Sequence, residues 1–87
     1  MADLHLPSTL PPLYHDLPRR LEVDAATVAE AIERLDERWP GLRDRLCEPG
    51  PKLRRHIRVY VDRGPAELTT ELETGSRVDV IAAISGG

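Results

Sequence analysis

Thr27-Val28-Ala29-Glu30-Ala31-Ile32-Glu33-Arg34-Leu35-Asp36-Glu37-Arg38-Trp39 decides how this chain is read. Its first four residues fit a capping box, in which a threonine hydroxyl and a glutamate carboxylate satisfy exposed backbone N–H groups at a helix start. Behind the box Val28, Ala31, Ile32, Leu35 and Trp39 recur at helical spacing, and Glu30, Glu33, Arg34, Glu37 and Arg38 take the other side. The spacing predicts one amphipathic helix of about three turns. Pro40-Gly41 ends it, because proline disfavours helix in the residue before it and glycine breaks the pattern. Leu42 and Leu46 predict a further short helical turn, closed by Glu48-Pro49-Gly50-Pro51.

Working outward, the period drops to two. Leu4 and Leu6 alternate with Asp3 and His5, and Leu21 and Val23 alternate with Arg20, Glu22 and Asp24, which predicts two strands paired through the loop Pro7 to Pro18. On the C-terminal side His56 to Asp62 is the cleanest strand, with Ile57, Val59 and Val61 on one face and His56, Arg58 and Tyr60 on the other. Asp62-Arg63-Gly64-Pro65 reads as a turn. Ala66 to Thr74 is weakly patterned and reads as a short strand and a helical turn around Leu68 and Leu72. A last strand, Arg77 to Ala82, turns Val78 and Val80 inward and Asp79 and Ile81 outward. That order of elements describes an α+β fold, a mixed sheet with one main helix packed on one face.

A chain of 87 residues makes a single domain, 1–87, near the small end of what folds unaided. Hydrophobic residues make up 40% and charged residues 31%, a balance that excludes disorder. With no Phe, one Trp and two Tyr, the core is built from Leu, Val, Ile and Ala, and an aromatic platform for stacked bases is excluded. The net charge of -3 has the wrong sign for gripping phosphate backbones, so direct nucleic-acid binding is not expected. The single Cys47 cannot form an internal disulfide, nothing at the N-terminus reads as a signal peptide, and no apolar run reaches membrane-spanning length. The expected location is the cytoplasm, with no membrane partner.

Cys47 reads as a small buried residue, since a reactive thiol needs an activating environment that the sequence does not show. His5, His15 and His56 lack metal-ligand spacing, so no metal site is expected. Lys52, Arg54, Arg55, His56 and Arg58 form a basic run in an otherwise acidic chain, suited to guiding an acidic partner or to solubility.

The sequence closes on Ser85-Gly86-Gly87. Two glycines without a Cβ let a tail, here 82–87 and read as flexible, thread a narrow channel and present a bare carboxylate to a partner. If extended, Ala82 to Gly87 spans roughly 20 Å at about 3.3 Å per residue, enough to cross from a docking surface into an active site. At roughly 7% glycine a chance doublet ends about one chain in 200, so the pair carries weight only with the rest of the sequence. Ile81, Ile84 and Ser85, with Arg58 and Tyr60 on the neighbouring strand, are the expected partner-binding residues.

Taken in order, Leu6-Pro7-Ser8-Thr9-Leu10, Ala26-Thr27-Val28, Trp39-Pro40-Gly41-Leu42-Arg43-Asp44-Arg45-Leu46, Lys52-Leu53-Arg54-Arg55-His56-Ile57, Val59-Tyr60-Val61-Asp62 and Val78-Asp79-Val80-Ile81 lead to the terminal diglycine. The set resembles the bacterial β-grasp, ubiquitin-like sulfur carriers of the MoaD/ThiS family, with the Lys52 to Asp62 segment similar to the cysteine-biosynthesis (CysO) type. It departs from the family pattern at Ala82, often Pro, near Arg58 and Asp62, often Asn, and at His15-Asp16, where a Gly-Gly turn is usual.

The resemblance implies a β-grasp fold and a protein that catalyses nothing itself. A partner of the E1-like, MoeB/ThiF type adenylates the terminal Gly87 with ATP and Mg²⁺, while Gly86 permits the close approach. Sulfur from a persulfide or sulfide, supplied by a sulfurtransferase, then displaces AMP to leave a thiocarboxylate. The carrier binds no cofactor, is a monomer that forms hetero-complexes, and hands its sulfur to a synthase. Acceptors making cysteine, molybdopterin, thiamine, thiolated tRNA or sulfur-containing natural products would all use such a tail. Two other readings keep the fold: a ubiquitin-like modifier that forms isopeptides with lysines, and an interaction module with an inert tail.

Overall fold

A computed structural model describes residues 1–7, 16–50 and 52–82. Among them run β1 (Ala2–His5), β2 (Arg20–Val23), α1 (Val28–Arg38), α2 (Leu42–Leu46), β3 (Cys47–Glu48), β4 (Lys52–Leu53), β5 (Ile57–Val61), β6 (Gly64–Ala66) and β7 (Arg77–Ala82). The main sheet has the order β2-β1-β7-β5-β6. Its two central strands, β1 and β7, are parallel, with Leu4 beside Val78. The outer pairs β1–β2 and β5–β7 are antiparallel, so the sheet is mixed, as the β-grasp reading requires.

The period-two pattern puts Ala2, Leu4, Val23, Ile57, Val59, Val78 and Val80 on one face, where all are buried. Against that face α1 lays Val28, Ala31, Ile32 and Leu35, and α2 adds Leu42 and Leu46. Trp39 caps α1 and is also buried, its indole Nε1 donating to Asp16 Oδ1 at 3.3 Å under the Arg38 guanidinium. The break after it has a geometric cause: Gly41 sits at φ 95°, a left-handed conformation that costs glycine little. Asp36 Oδ1 then accepts from the backbone N–H of both Gly41 and Arg43, at 3.0 Å each, and anchors the start of α2.

The start of α1 is tied to the weakly patterned segment that follows β6. Thr27 Oγ1 accepts from Glu30 N–H at 3.2 Å, as a capping box predicts, but the Glu30 carboxylate reaches one residue further back, to Ala26 N–H at 3.2 Å. Two further donors of the first turn, Val28 N–H and Ala29 N–H, which have no partner within the helix, donate to the carbonyls of Thr70 and Leu68. Residues 67–70 close a single turn, Thr70 N–H donating to Glu67 O at 3.1 Å, and do not go on as a helix. The chain then passes the head of α1, with Thr27 bridged to Glu71, and tucks Leu68 and Leu72 against the core.

Two other expectations need correcting. The Asp62 to Pro65 turn is tighter than read, because only Asp62 and Arg63 form its tip and Gly64-Pro65-Ala66 is already β6. Both tip residues take positive φ, 49° and 72°, the geometry of a two-residue hairpin turn. The stretch after α2 does not merely close it: Cys47 pairs with Leu53 and Glu48 with Lys52 in a small hairpin, of which Pro51 lies outside the described residues. The Pro7 to Pro18 connection joins β1 to antiparallel β2 as expected, and its residues 8–15 lie outside the described residues.

Candidate functional site

With α1 and α2 on one side of the sheet, the alternate residues of the same strands line the other side, which no described element covers. Strand register arranges them in rows. One row runs Glu22, Asp3, Arg77, and the next runs Arg20, His5, Asp79, Tyr60, Pro65 across all five strands. The last pairs Ile81 with Arg58.

The first two rows are tied together electrostatically. Asp3 accepts from Arg20 Nε at 3.0 Å and lies 3.1 Å from His5 Nε2. The Arg20 guanidinium holds the Asp3 carboxyl below the usual carboxylate range, and Asp3 in turn raises Arg20. Arg77 donates to both Asp79 oxygens, at 3.0–3.2 Å, and is raised by that contact. Sequence reasoning placed Asp79 outward but did not single out this ladder. The signal was present, since Arg77 and Asp79 two residues apart on a strand must share a face.

The third row differs in kind. Ile81 is 46% exposed, a large apolar side chain in the open, beside a shallow hollow of about 330 Å³ lined by His5, Arg19, Asp79 and Ala82. Arg58 across from it donates to the backbone carbonyls of Arg55 at 2.8 Å and Ile57 at 3.3 Å. Ala82, the last described residue, pairs with Ile57 beside this row. The structure thus brings Ile81, Arg58 and Tyr60 onto one face. Ile84, Ser85, Gly86 and Gly87 lie outside the described residues.

On the opposite side, Cys47 is half-buried at a cleft of about 560 Å³ between α1, α2 and the β3–β4 hairpin. Burial pushes its thiol up, against the weaker opposing pull of Arg43 and Arg54, the reverse of what a reactive thiolate needs. Among the described residues no three His, Cys, Asp or Glu side chains are grouped as metal ligands, and no helix is long and apolar enough to cross a membrane.

The model of the ThiS family matches residues 14–87. No curated protein matches the chain in sequence. Among solved structures, a chain of the BexX/CysO complex from Amycolatopsis orientalis superposes with a TM-score of 0.87 at 27% identity, covering 100% of both chains. SAMP1 from Haloferax volcanii gives 0.72 at 27% identity, with 99% of this chain and 98% of that one covered. CysO from Mycobacterium tuberculosis gives 0.83 over 97% of this chain and 100% of that one, and at 22% identity that likeness speaks for the fold.

Proposed function

Because the chain belongs to the ThiS family, we propose that it carries sulfur as a thiocarboxylate on Gly87, made by a partner enzyme and spent by another. The observation that carries this reading is positional. The family match runs through Gly86-Gly87, and β7 delivers the chain to residue 83 at the rim of an uncovered face whose exposed apolar side chain is Ile81.

The chemistry requires activation first, because a carboxylate has no leaving group better than oxide. An oxygen of the Gly87 carboxylate attacks the α-phosphorus of ATP, pyrophosphate leaves with Mg²⁺, and an acyl adenylate forms in the E1-like, MoeB/ThiF-type partner. Hydrosulfide attack on the acyl carbon expels AMP and leaves the thiocarboxylate. If a protein persulfide attacks instead, the product is an acyl disulfide, and a second thiol must cleave its S–S bond to release the same group. No step uses a side chain of this chain as acid, base or nucleophile, and ATP and Mg²⁺ belong to the partner. Gly86 serves by having no Cβ at the narrowest approach.

The acceptor we favour is a cysteine-forming synthase, shared with enzymes of sulfur-containing natural products. The similarity to a chain of the BexX/CysO complex supports that acceptor class and a life in hetero-complexes. A cytoplasmic location follows from the need for ATP and reduced sulfur. The similarity to SAMP1, a small archaeal modifier protein, favours a second reading in which the activated Gly87 is transferred to lysines.

Intact mass after incubation with a ThiF-type enzyme, ATP, Mg²⁺ and sulfide separates the two. A gain equal to sulfur replacing oxygen supports the carrier. Lysine adducts on other proteins support the modifier, and an unchanged mass without adducts removes both.

A further inference from the structure

The charge of this chain is not spread evenly along its sheet. β5 begins at Ile57, behind Arg54, Arg55 and His56, and ends at Val61-Asp62; β7 runs the opposite way, from Arg77 beside Asp62 to Ala82 beside Ile57. One end of the sheet therefore gathers Lys52, Arg54, Arg55 and Arg58, while the other gathers Asp62, Glu71 and Glu73 around a hollow, with Arg63 at the turn tip. Arg77, also at the acidic end, is neutralised by Asp79. Lys52 Nζ lies 3.4 Å from Glu48, whereas among the described residues no carboxylate pairs with Arg54, Arg55 or Arg58; Arg54 Nε donates to the Asp44 carbonyl at 2.6 Å and Arg58 to carbonyls of its own segment.

Those cations are not scattered. Lys52, Arg54, Arg55 and Arg58 border one groove of about 460 Å³, and its lining also includes Leu53, Val59, Ala66 and Leu68. Glu67 is the one carboxylate on that lining. The groove flanks β6, an edge strand among the described residues whose middle residue, Pro65, has no N–H to offer an added strand. A groove with an apolar component and a basic border suits a segment that combines acidic and apolar residues. A phosphate backbone would make no use of the apolar side chains that line the groove.

We infer that this groove docks an acidic segment of a partner protein, and that the basic pole steers that partner to the end of the sheet where β7 reaches Ala82. Groove and Ile81 form one footprint, since Arg58 borders both. The choice of partner, an activating or acceptor enzyme, rests on the carrier reading; the groove's preference for carboxylates does not.

The test has two arms. In the first, a synthetic peptide alternating aspartate and valine is titrated into the isotope-labelled protein, with a lysine–valine peptide and a single-stranded oligonucleotide of equal charge number as comparisons. Shifts confined to residues 52–60 and 65–69 for the acidic peptide, weakened about tenfold or more by Arg55→Glu with Arg58→Glu, are expected. Binding elsewhere, or equal binding of the oligonucleotide at the same residues, overturns the inference. Both arginines are exposed, and Arg55→Gln with Arg58→Gln is the milder variant should the reversal disturb folding.

In the second arm, ATP–pyrophosphate exchange by a ThiF-type enzyme is measured with this chain as substrate. The charge-reversed variant is expected to raise KM about tenfold, with kcat held and the gap closing as salt rises. An unchanged KM beside an active wild type sinks the docking inference and leaves the carrier standing. A wild type that supports no exchange, beside a peptide that maps to the groove, does the opposite.

Discussion

Arg58 on β5 and Ile81 on β7 are register partners on the uncovered face, so the exposed apolar side chain nearest the end of β7 stands beside a guanidinium that no described carboxylate pairs with. A partner that seats on Ile81 has to accept that positive neighbour. Ile81→Asp places a carboxylate against Arg58 at an exposed site, so stability is expected to move by no more than about 0.5 kcal/mol. Complex formation with the activating enzyme is expected to weaken about tenfold, since a buried apolar contact is replaced by a charge that must be desolvated. Urea unfolding and a binding titration read the two quantities separately. A destabilised variant that still binds would remove Ile81 from the interface.

Thr27 sits where α1, residues 67–72 and the core meet. Its hydroxyl accepts from Glu30 N–H, and its neighbours Val28 and Ala29 depend on the carbonyls of Thr70 and Leu68. Thr27→Ala is expected to cost about 1 kcal/mol, the usual loss of a side-chain cap. Amide exchange should quicken both at Glu30 and at Leu72, whose N–H donates to Ala26 O, because the same corner holds both segments. Faster exchange in α1 with no change at Leu72 would show the two to be independent.

Asp3 gives the fold a pH dependence of known sign. Arg20 first, then His5, hold its carboxyl below the ordinary value of 3.8, so the ionised form is favoured in the folded chain. The contribution is complete above that ordinary value and is lost as pH falls through the lower, folded one. Asp3→Asn is therefore expected to lower the urea midpoint at about pH 7 and to matter progressively less toward about pH 2. An equal effect at both ends would mean that packing, and not charge, is what Asp3 supplies.

The β5–β6 turn carries strain that can be relieved. Arg63 holds φ 72°, a conformation costing a non-glycine residue of order 1 kcal/mol or more, whereas Asp62 at φ 49° is anchored by accepting from Arg77 N–H at 2.9 Å. Arg63→Gly is expected to stabilise the chain by about 0.5 kcal/mol after the added unfolded-state freedom of glycine is subtracted, and Asp62→Gly to destabilise it. Thermal melts of the two variants should shift in opposite directions.

The helix and the long strands were legible because each carries its own period: Val28 to Leu35 at helical spacing, Ile57 to Val61 and Val78 to Val80 at period two. The outward positions of Arg58, Tyr60 and Ile81 follow from the same alternation. What escaped has no local period. β3 and β4 are two residues each, too short to alternate, and β6 begins on Gly64-Pro65, which read as turn signals. Leu68 and Leu72 are four apart, as in a helix, yet the backbone makes a single turn there, Thr70 N–H to Glu67 O, and is then held by a distant partner, the start of α1. The charge ladder was partly hidden for the same reason, since Asp3 meets Arg20 and Arg77 only once the strand order is known.

The C-terminal residues lie outside the described structure, and their role is tested by chemistry. If Gly87 is the adenylated residue, the reaction depends on where its carboxylate stops, and each residue added moves that carboxylate by about 3.3 Å. A displacement of that size carries the attacking oxygen out of line with the α-phosphorus, which needs contact near 3 Å, so a one-residue extension is expected to abolish ATP–pyrophosphate exchange. Gly86→Ala keeps the length and adds a Cβ, and is expected to slow exchange, with the melting temperature measured beside it to separate a lost approach from a weakened fold. Exchange that persists at the wild-type rate with the extended chain would mean that the diglycine is not the reacting end.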